Sequence, residues 1–486
     1  MPDQNAGASR LFGGVFNRGA ASTGDAAWLQ ALLDAEAGLA RAVERAGRAP
    51  SGAGEAVTKA AVAADFTVAE VAEVARSAEL TGNPVPGLAR VLARRVPAFA
   101  APAVHEGATS QDIMDTAAML LARQAADAVL ADVSAAADAA ARLAAAHRGT
   151  LMIGRTLLQQ AVPVTFGLVA SGWLAGLDEA RAGLEAVRAT RLAVQFGGAA
   201  GTLASLGADG PRVVSLLAEE LGLAAPALPW HTQRLRVIDV AAAMARVTAA
   251  LGKIARDVTL LAQTEVGEVS EGPGGSAGTG SPASRGGGAL TGGPSPGGDS
   301  APRRGGSSAM PNKSNPVAAI AILGCARQVP GLLATLVACA EQEHQRAAGA
   351  WHAEWQPFSD VLRLAGSAAA WGVDLLAGLR VDSSRMAANL GASGGLPLAE
   401  QVTGLLAGAL GRARAHDLVA GAAARAVSSG LPLSDVLLTA LEGAGAGVAG
   451  ITADQIEAAL NPAGYLGASG AFIDAALRAH ARDALG

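Results

Sequence analysis

The stretch "VIDVAAAMARVTAALGKIARDVTLL", residues 237–261, decides the fold. Its apolar positions are Val237, Val240, Met244, Val247, Leu251, Ile254, Val258 and Leu261. The steps alternate between three and four residues, which keeps one stripe of a helix apolar over about seven turns. A helix of that length suits a bundle better than a compact α/β domain. The same period recurs at 28–43, 115–147, 163–192, 317–343 and 359–379. Ala and Leu dominate, β-branched alternation is scarce and aromatics are 3%. The expected fold class is all-α, with the stripes packed as core.

Breaks divide the chain into three expected domains. Residues 1–110 hold shorter helices interrupted at motifs such as "TGNPVPG". Residues 111–352 hold the long helices. Residues 353–486 are again shorter, broken at "GASGGLPL", "SSGLPL" and "NPAGYLGASG". One low-complexity segment, 272–306, interrupts the central part, and 14 of its 35 residues are Gly. It cannot offset the entropy of ordering by burying apolar surface. A loop that long between two helices is either functional or disordered.

The bulk numbers exclude some classes. The chain has 486 residues and a net charge of -5, with no long-range pull toward nucleic acid or an anionic membrane. Cys325 and Cys339 form neither a CxxC nor a zinc spacing and read as buried small hydrophobes, which fits a reducing compartment. The start "MPDQNAGASRLFGG" has no basic region followed by an apolar one, so no signal peptide is expected. The apolar run 317–340 is interrupted by Arg327, Gln328 and Pro330. It predicts a buried helix kinked near Pro330 rather than a membrane span. A cytoplasmic protein is expected. His105, His147, His231, His344 and His352 show no ligand-pair spacing, so no metal site is expected.

Three polar clusters stand out. In "HEGATSQDIMDTA", 105–117, Thr109 or Ser110 caps a helix with Asp112 in its first turn, or the free hydroxyls and N–H groups there bind an anion. In "GRTLLQQAVPVTFG", 154–167, Arg155, Thr156, Gln159 and Gln160 sit in an apolar frame. Buried polar groups need partners, which other side chains or a ligand can supply. In "GGSSAMPNKSNP", 305–316, Met310, Lys313 and Asn315 break the Gly/Ser bias just before a long apolar helix.

These clusters, in this order, resemble the three separated motifs of the fumarase/aspartase superfamily. "GSSAMPNKSNP", 306–316, is similar to its signature GSSxMPxKxNP. Within the superfamily the resemblance is to the 3-carboxy-cis,cis-muconate cycloisomerases. The stretches "WLQALLDAEAGLARA", "QFGGAAGTLASLG", "WHTQRLRV" and "EHQRAAGAWHAEW" carry it, and it covers the chain from about Leu11 onward. It implies a three-domain, all-α enzyme without cofactor, whose long central helices tetramerise into a 20-helix core. Each active site would be assembled from three subunits, one motif from each.

The resemblance also implies roles. Superfamily members make or break a bond β to a carboxylate while a proton moves at the α carbon. The resulting charge on the carboxylate needs preorganised donors. Ser307 would be the base, and Lys313 and Asn315 would hold the carboxylate where charge builds. His105, Thr109, Ser110, Arg155, Thr156, Gln159, Gln160, Gln233, Arg234 and His352 would bind the other carboxylates of a small polycarboxylate or line the pocket. The Gly-rich tether would let a lid bring Ser307 onto the substrate. Many members carry a histidine acid where this chain has Gln160. A hydroxide or amine leaving group needs that acid, whereas an expelled carboxylate, with a reference pKa near 4, does not. The implied reaction is interconversion of 3-carboxy-cis,cis-muconate and a carboxymuconolactone in protocatechuate breakdown. The alternatives are an amine lyase acting on a succinyl adduct and a relative without turnover.

Overall fold

A computed structural model describes residues 11–19, 23–272, 305–306, 310, 313–443 and 450–483. Helices dominate. In chain order they are α1 (Gly13–Phe16), α2 (Asp25–Arg45), α3 (Ala53–Ala60), α4 (Val68–Thr81), α5 (Val85–Arg95), α6 (Ser110–Ala146), α7 (Phe166–Thr190), α8 (Gly210–Leu221) and α9 (Leu235–Leu261). After the Gly-rich segment come α10 (Val317–Ala338), α11 (Ala350–Ala377), α12 (Ser383–Gly391), α13 (Ala399–Leu410), α14 (Arg412–Ser429), α15 (Leu433–Gly443), α16 (Ala453–Ala459) and α17 (Ser469–Asp483). Two small antiparallel pairs accompany them: β1 (Leu151–Thr156) with β2 (Gln159–Thr165), and β3 (Val269–Glu271) with β4 (Leu379–Val381).

All eight positions of the 237–261 stripe are buried, so its period reports a core face along the whole of α9. Cys325 and Cys339 are also buried, and burial pushes the Cys325 thiol up to about 11.

Compactness divides the chain into two units. The first holds 1–135, 179–255 and 318–373, and the second holds 136–178, 256–317 and 374–486. The long helices α6, α7, α9 and α11 contribute residues to both, and α10 gives its first residue, Val317, to the second. In the first unit α2 packs on α3 and α8. A side chain on Gly38 would lie 2.6 Å from a Leu221 methyl, so Leu221 packs directly over Gly38 where α2 and α8 meet. Arg41 and Arg45 of α2 pair with Glu220 of α8 at 2.7 Å each. In the second unit the C-terminal helices have their own core, with Val402, Leu406, Val419, Leu433, Leu437 and Ile456 at its centre.

Two sequence boundaries move. The period at 163–192 predicts one helix, but α7 starts at Phe166 and Pro163 lies in β2 opposite Ile153. The register shifts at Gly154, where any Cβ would sit 2.6 Å from the Val162 carbonyl oxygen, so a bulge with glycine is required. The helix expected from 359 starts at Ala350 and runs through Pro357. Burial of Trp351, Glu354 and Phe358 holds the turns that the proline weakens.

Candidate active site

The first unit gathers His105, Thr109, Ser110, Gln233, Arg234 and His352. The N-terminus of α6 organises them. Asp112 is almost wholly buried, and its carboxylate accepts from the backbone N–H of Thr109 (3.0 Å), Gly197 (3.0 Å) and Gly198 (2.9 Å). It also lies 2.6 Å from His231 Nε2. The residue read as a helix-start acid therefore fixes the 197–198 loop and His231 to the start of α6. Gln111 adds a bond from its amide to the His231 carbonyl oxygen (2.8 Å) and accepts from Arg346 (2.9 Å). Thr109 and Ser110 stay half-buried at the open end of this helix.

Arg234 is buried in a charged cluster. Its Nε and one terminal nitrogen donate to Glu354 (3.0 and 2.7 Å), and both terminal nitrogens donate to Asp115 (2.7 and 3.0 Å). A further donation goes to the His231 carbonyl oxygen at 3.4 Å. That uses all five N–H groups of the guanidinium and leaves none for a ligand. Burial opposes the charge on Arg234, yet Asp115 and Glu354 hold its pKa above the usual arginine value. Burial pushes the Glu354 carboxyl up against the pull of Arg234, as expected when two carboxylates share one cation. Trp351 donates to Asp115 (3.1 Å) and Gln342 to Glu354 (2.9 Å). Gln233, the preceding residue, is exposed. His352 is exposed on α11, its ring 5.1 Å from Trp351 and 4.7 Å from Trp355.

His105 occupies a left-handed conformation, with φ of 60°. Its Nδ1 lies 2.7 Å from Glu36 Oε1, and its backbone N–H donates to Oε2 at 2.9 Å. Burial opposes protonation of the ring, but the Glu36 carboxylate, helped by Asp112, holds its pKa above the ordinary histidine value.

The second unit carries the other two motifs. The β1–β2 hairpin pairs Arg155 with Gln160 and Thr156 with Gln159, so these four polar residues meet beside the turn. Thr156, Gln159 and Gln160 are exposed. The turn itself is Leu157–Leu158, both at positive φ and 96% and 73% exposed. Arg155 forks onto the fully buried Glu268 at 2.9 and 2.7 Å, and Asn389 donates to the same carboxylate at 2.8 Å. This anchors β1 one residue short of the turn end and leaves Thr156, Gln159 and Gln160 exposed.

In the signature, Asn315 donates from its backbone N–H (2.9 Å) and its amide (3.1 Å) to the Gly305 carbonyl oxygen, and Gly306 bridges to Ser314. Lys313 is exposed, and its N–H donates to the Met310 carbonyl oxygen. Ser307 and the tether at 273–304 lie outside the described residues.

Sequence reasoning missed Glu36, Asp115, Glu268 and Glu354. The available signal was a carboxylate inside an otherwise apolar frame, as in "LLDAEAGLA" and "WHAEW".

The lyase family pattern matches residues 17–280, and that of the adenylosuccinate lyase C-terminus matches 395–476. The chain is 43% identical to a 3-carboxy-cis,cis-muconate cycloisomerase of Bradyrhizobium diazoefficiens, over 95% of this chain and 96% of that one. It is also 43% identical to a nitrosuccinate lyase of Streptomyces davaonensis, over 94% and 91%. The solved 3-carboxy-cis,cis-muconate lactonizing enzyme of Pseudomonas putida superposes with a TM-score of 0.85 at 37% identity, over 97% of this chain and 99% of that one. With a family pattern spanning over half its length and near-full-length relatives, the chain belongs to the lyase family of the fumarase/aspartase superfamily, in the branch that holds the 3-carboxy-cis,cis-muconate cycloisomerases.

Proposed function

We propose that the chain interconverts 3-carboxy-cis,cis-muconate and a carboxymuconolactone by intramolecular addition of a carboxylate to a double bond. In the lactone-opening direction Ser307 takes the α proton, the ring C–O bond breaks and the carboxylate leaves. In the closing direction the carboxylate oxygen adds and the proton returns from Ser307. Lys313 and Asn315 hold the carboxylate on which charge builds. Thr109, Ser110, Thr156, Gln159, Gln160 and Gln233 supply neutral donors, and His105 and His352 are pocket residues in the same reading. Arg155 and Arg234 are assigned a positioning role, because Glu268 occupies the fork of one and Asp115 and Glu354 take every donor of the other.

One observation carries the choice of reaction. Thr156, Gln159 and Gln160, the exposed polar end of the hairpin, cannot hand over a proton at neutral pH. A group that leaves from there must be a weak base. A carboxylate is, and an amine is not. The tethered nucleophile is already near its target, so positioning supplies much of the rate.

A second reading has specific support, since identity to the nitrosuccinate lyase is equally high. Nitrite is also a weakly basic leaving group. Purified chain is offered 3-carboxy-cis,cis-muconate, nitrosuccinate and adenylosuccinate in parallel, following loss of muconate absorbance, nitrite release and fumarate formation. Muconate is expected to turn over fastest. Faster nitrite release would favour the second reading, and no turnover of any would mark a relative that keeps only the scaffold.

We read the assembly as a homotetramer with shared sites, and the location as cytoplasmic. α10 is apolar apart from Arg327, Gln328 and Thr335, yet its Ile320 and Val337 are 53% and 52% exposed. The Leu157–Leu158 tip is exposed as well. Contacts between copies would cover both. The chain order 1–110, 111–352 and 353–486 is kept as the division into three domains.

A further inference from the structure

Glu36 lies in the apolar face of α2, fully buried, and both of its oxygens are spent on one residue. Oε2 accepts the His105 backbone N–H and Oε1 meets Nδ1. A buried carboxylate is costly unless a cation or several donors compensate it. Among the described residues no arginine or lysine pairs with Glu36, so His105 is its only counter-charge. The same backbone bond holds His105 at φ 60°, a conformation a non-glycine residue adopts at a cost. Nε2, the far nitrogen, makes no hydrogen bond among the described residues, and the side chain remains 24% exposed. The ring is thus anchored on one side and open on the other.

We propose that Glu36 is a positioning residue: it locks the His105 ring with Nδ1–H inward and keeps it an imidazolium, so that Nε2–H is offered as a charged donor to a substrate carboxylate. This rests on the reading of the chain as an enzyme of a small polycarboxylate. It gives the first unit a cation in place of Arg234, whose donors are all taken. The charged groups around the ring are few. Glu36 faces it from α2 and Asp112 from the start of α6. Asp112 is itself engaged by His231 and three backbone N–H groups. Farther out, Glu106 pairs with Arg48 at 3.4 Å, and Arg346 is fixed by Gln111 and the Gly198 carbonyl oxygen.

The sign follows from linkage. Glu36 raises the His105 pKa above its ordinary value near 6.5, so the cation is present below that value and lost as pH rises through the raised one. Glu36→Gln is nearly isosteric. Its amide oxygen can still accept the His105 backbone N–H, while its NH2 donates to Nδ1. Nδ1 then becomes the acceptor, the proton moves to Nε2 and the ring is neutral.

The test labels histidine with 13C at Cε1 in the full chain, assigns the His105 signal with His105→Gln, and titrates wild type and Glu36→Gln by NMR. KM and kcat for 3-carboxy-cis,cis-muconate are measured across the same pH range. His105 is expected to titrate above about 6.5 in wild type and lower in Glu36→Gln. KM is expected to rise about tenfold with kcat nearly unchanged, with the basic limb of kcat/KM moving to lower pH and Glu36→Asp restoring part of the loss. A wild-type His105 titrating at or below 6.5 would overturn the proposal, even if Glu36→Gln failed to fold. So would a folded Glu36→Gln with an unchanged limb and KM. Absence of muconate turnover with a raised His105 titration would defeat the functional reading and leave the dyad standing.

Discussion

At the scale of single residues, the signature depends on Gly305. It sits at φ 82°, and a Cβ there would overlap the Asn315 carbonyl oxygen. Only glycine lets Gly305 and Asn315 pair this closely. Gly305→Ala is expected to lower kcat/KM about tenfold or more, the rate equivalent of roughly 1.4 kcal/mol, while the thermal midpoint hardly moves. An unchanged kcat/KM would mean that the pairing does not serve the site. Lys313 and Asn315 were legible as residues, because a rare polar pattern breaks a Gly/Ser run. Glu36, Asp112 and Glu268 were not legible in their roles. Helical period assigns a residue to a face, and each of these carboxylates finds its partner far away in sequence. His105 is 69 residues from Glu36, and Arg155 is 113 from Glu268. Such pairings follow from tertiary packing, which a single sequence does not encode locally.

At the scale of elements, long helices were legible and short strands were not. The β1–β2 hairpin turns on Leu157–Leu158 at positive φ, where turn chemistry normally calls for Asn or Gly. No turn signal marked it, and the apolar run after Pro163 merged with the helical period of α7. The last helix, α17, is held through His480. Its Nδ1 lies 3.0 Å from Asp178 of α7, and its Nε2 lies 3.0 Å from Asp138 of α6. Burial opposes the imidazolium, but the hydrogen bonds to Asp178 and Asp138 hold its pKa above the ordinary value. Its stabilisation is therefore fully present below about pH 6.5 and lost as pH rises through the raised pKa. A second charge of α17, Asp474, pairs with Arg148, which follows α6. Melting curves from about pH 6 to about pH 9 should show wild type losing its advantage over His480→Gln toward the basic end. A constant difference across that range would show that His480 contributes only packing.

At the scale of the whole molecule, the α9 stripe carried the fold, since all eight positions chosen by period are buried. The all-α class and the fumarase/aspartase fold followed from such stripes and three short motifs, and the solved relative superposes over 97% of the chain. The division into compact units was hidden from a linear reading. Each unit is assembled from three separate stretches, and five long helices contribute to both. Separate stretches also carry the three motifs. In the proposed function Ser307 opens and closes a muconolactone. The most direct measurement follows loss of 3-carboxy-cis,cis-muconate absorbance by purified wild type and by Ser307→Ala at matched concentration. On that reading wild type turns over steadily and the variant loses at least about a hundredfold. Equal rates in the two proteins, or no turnover by wild type, would contradict it.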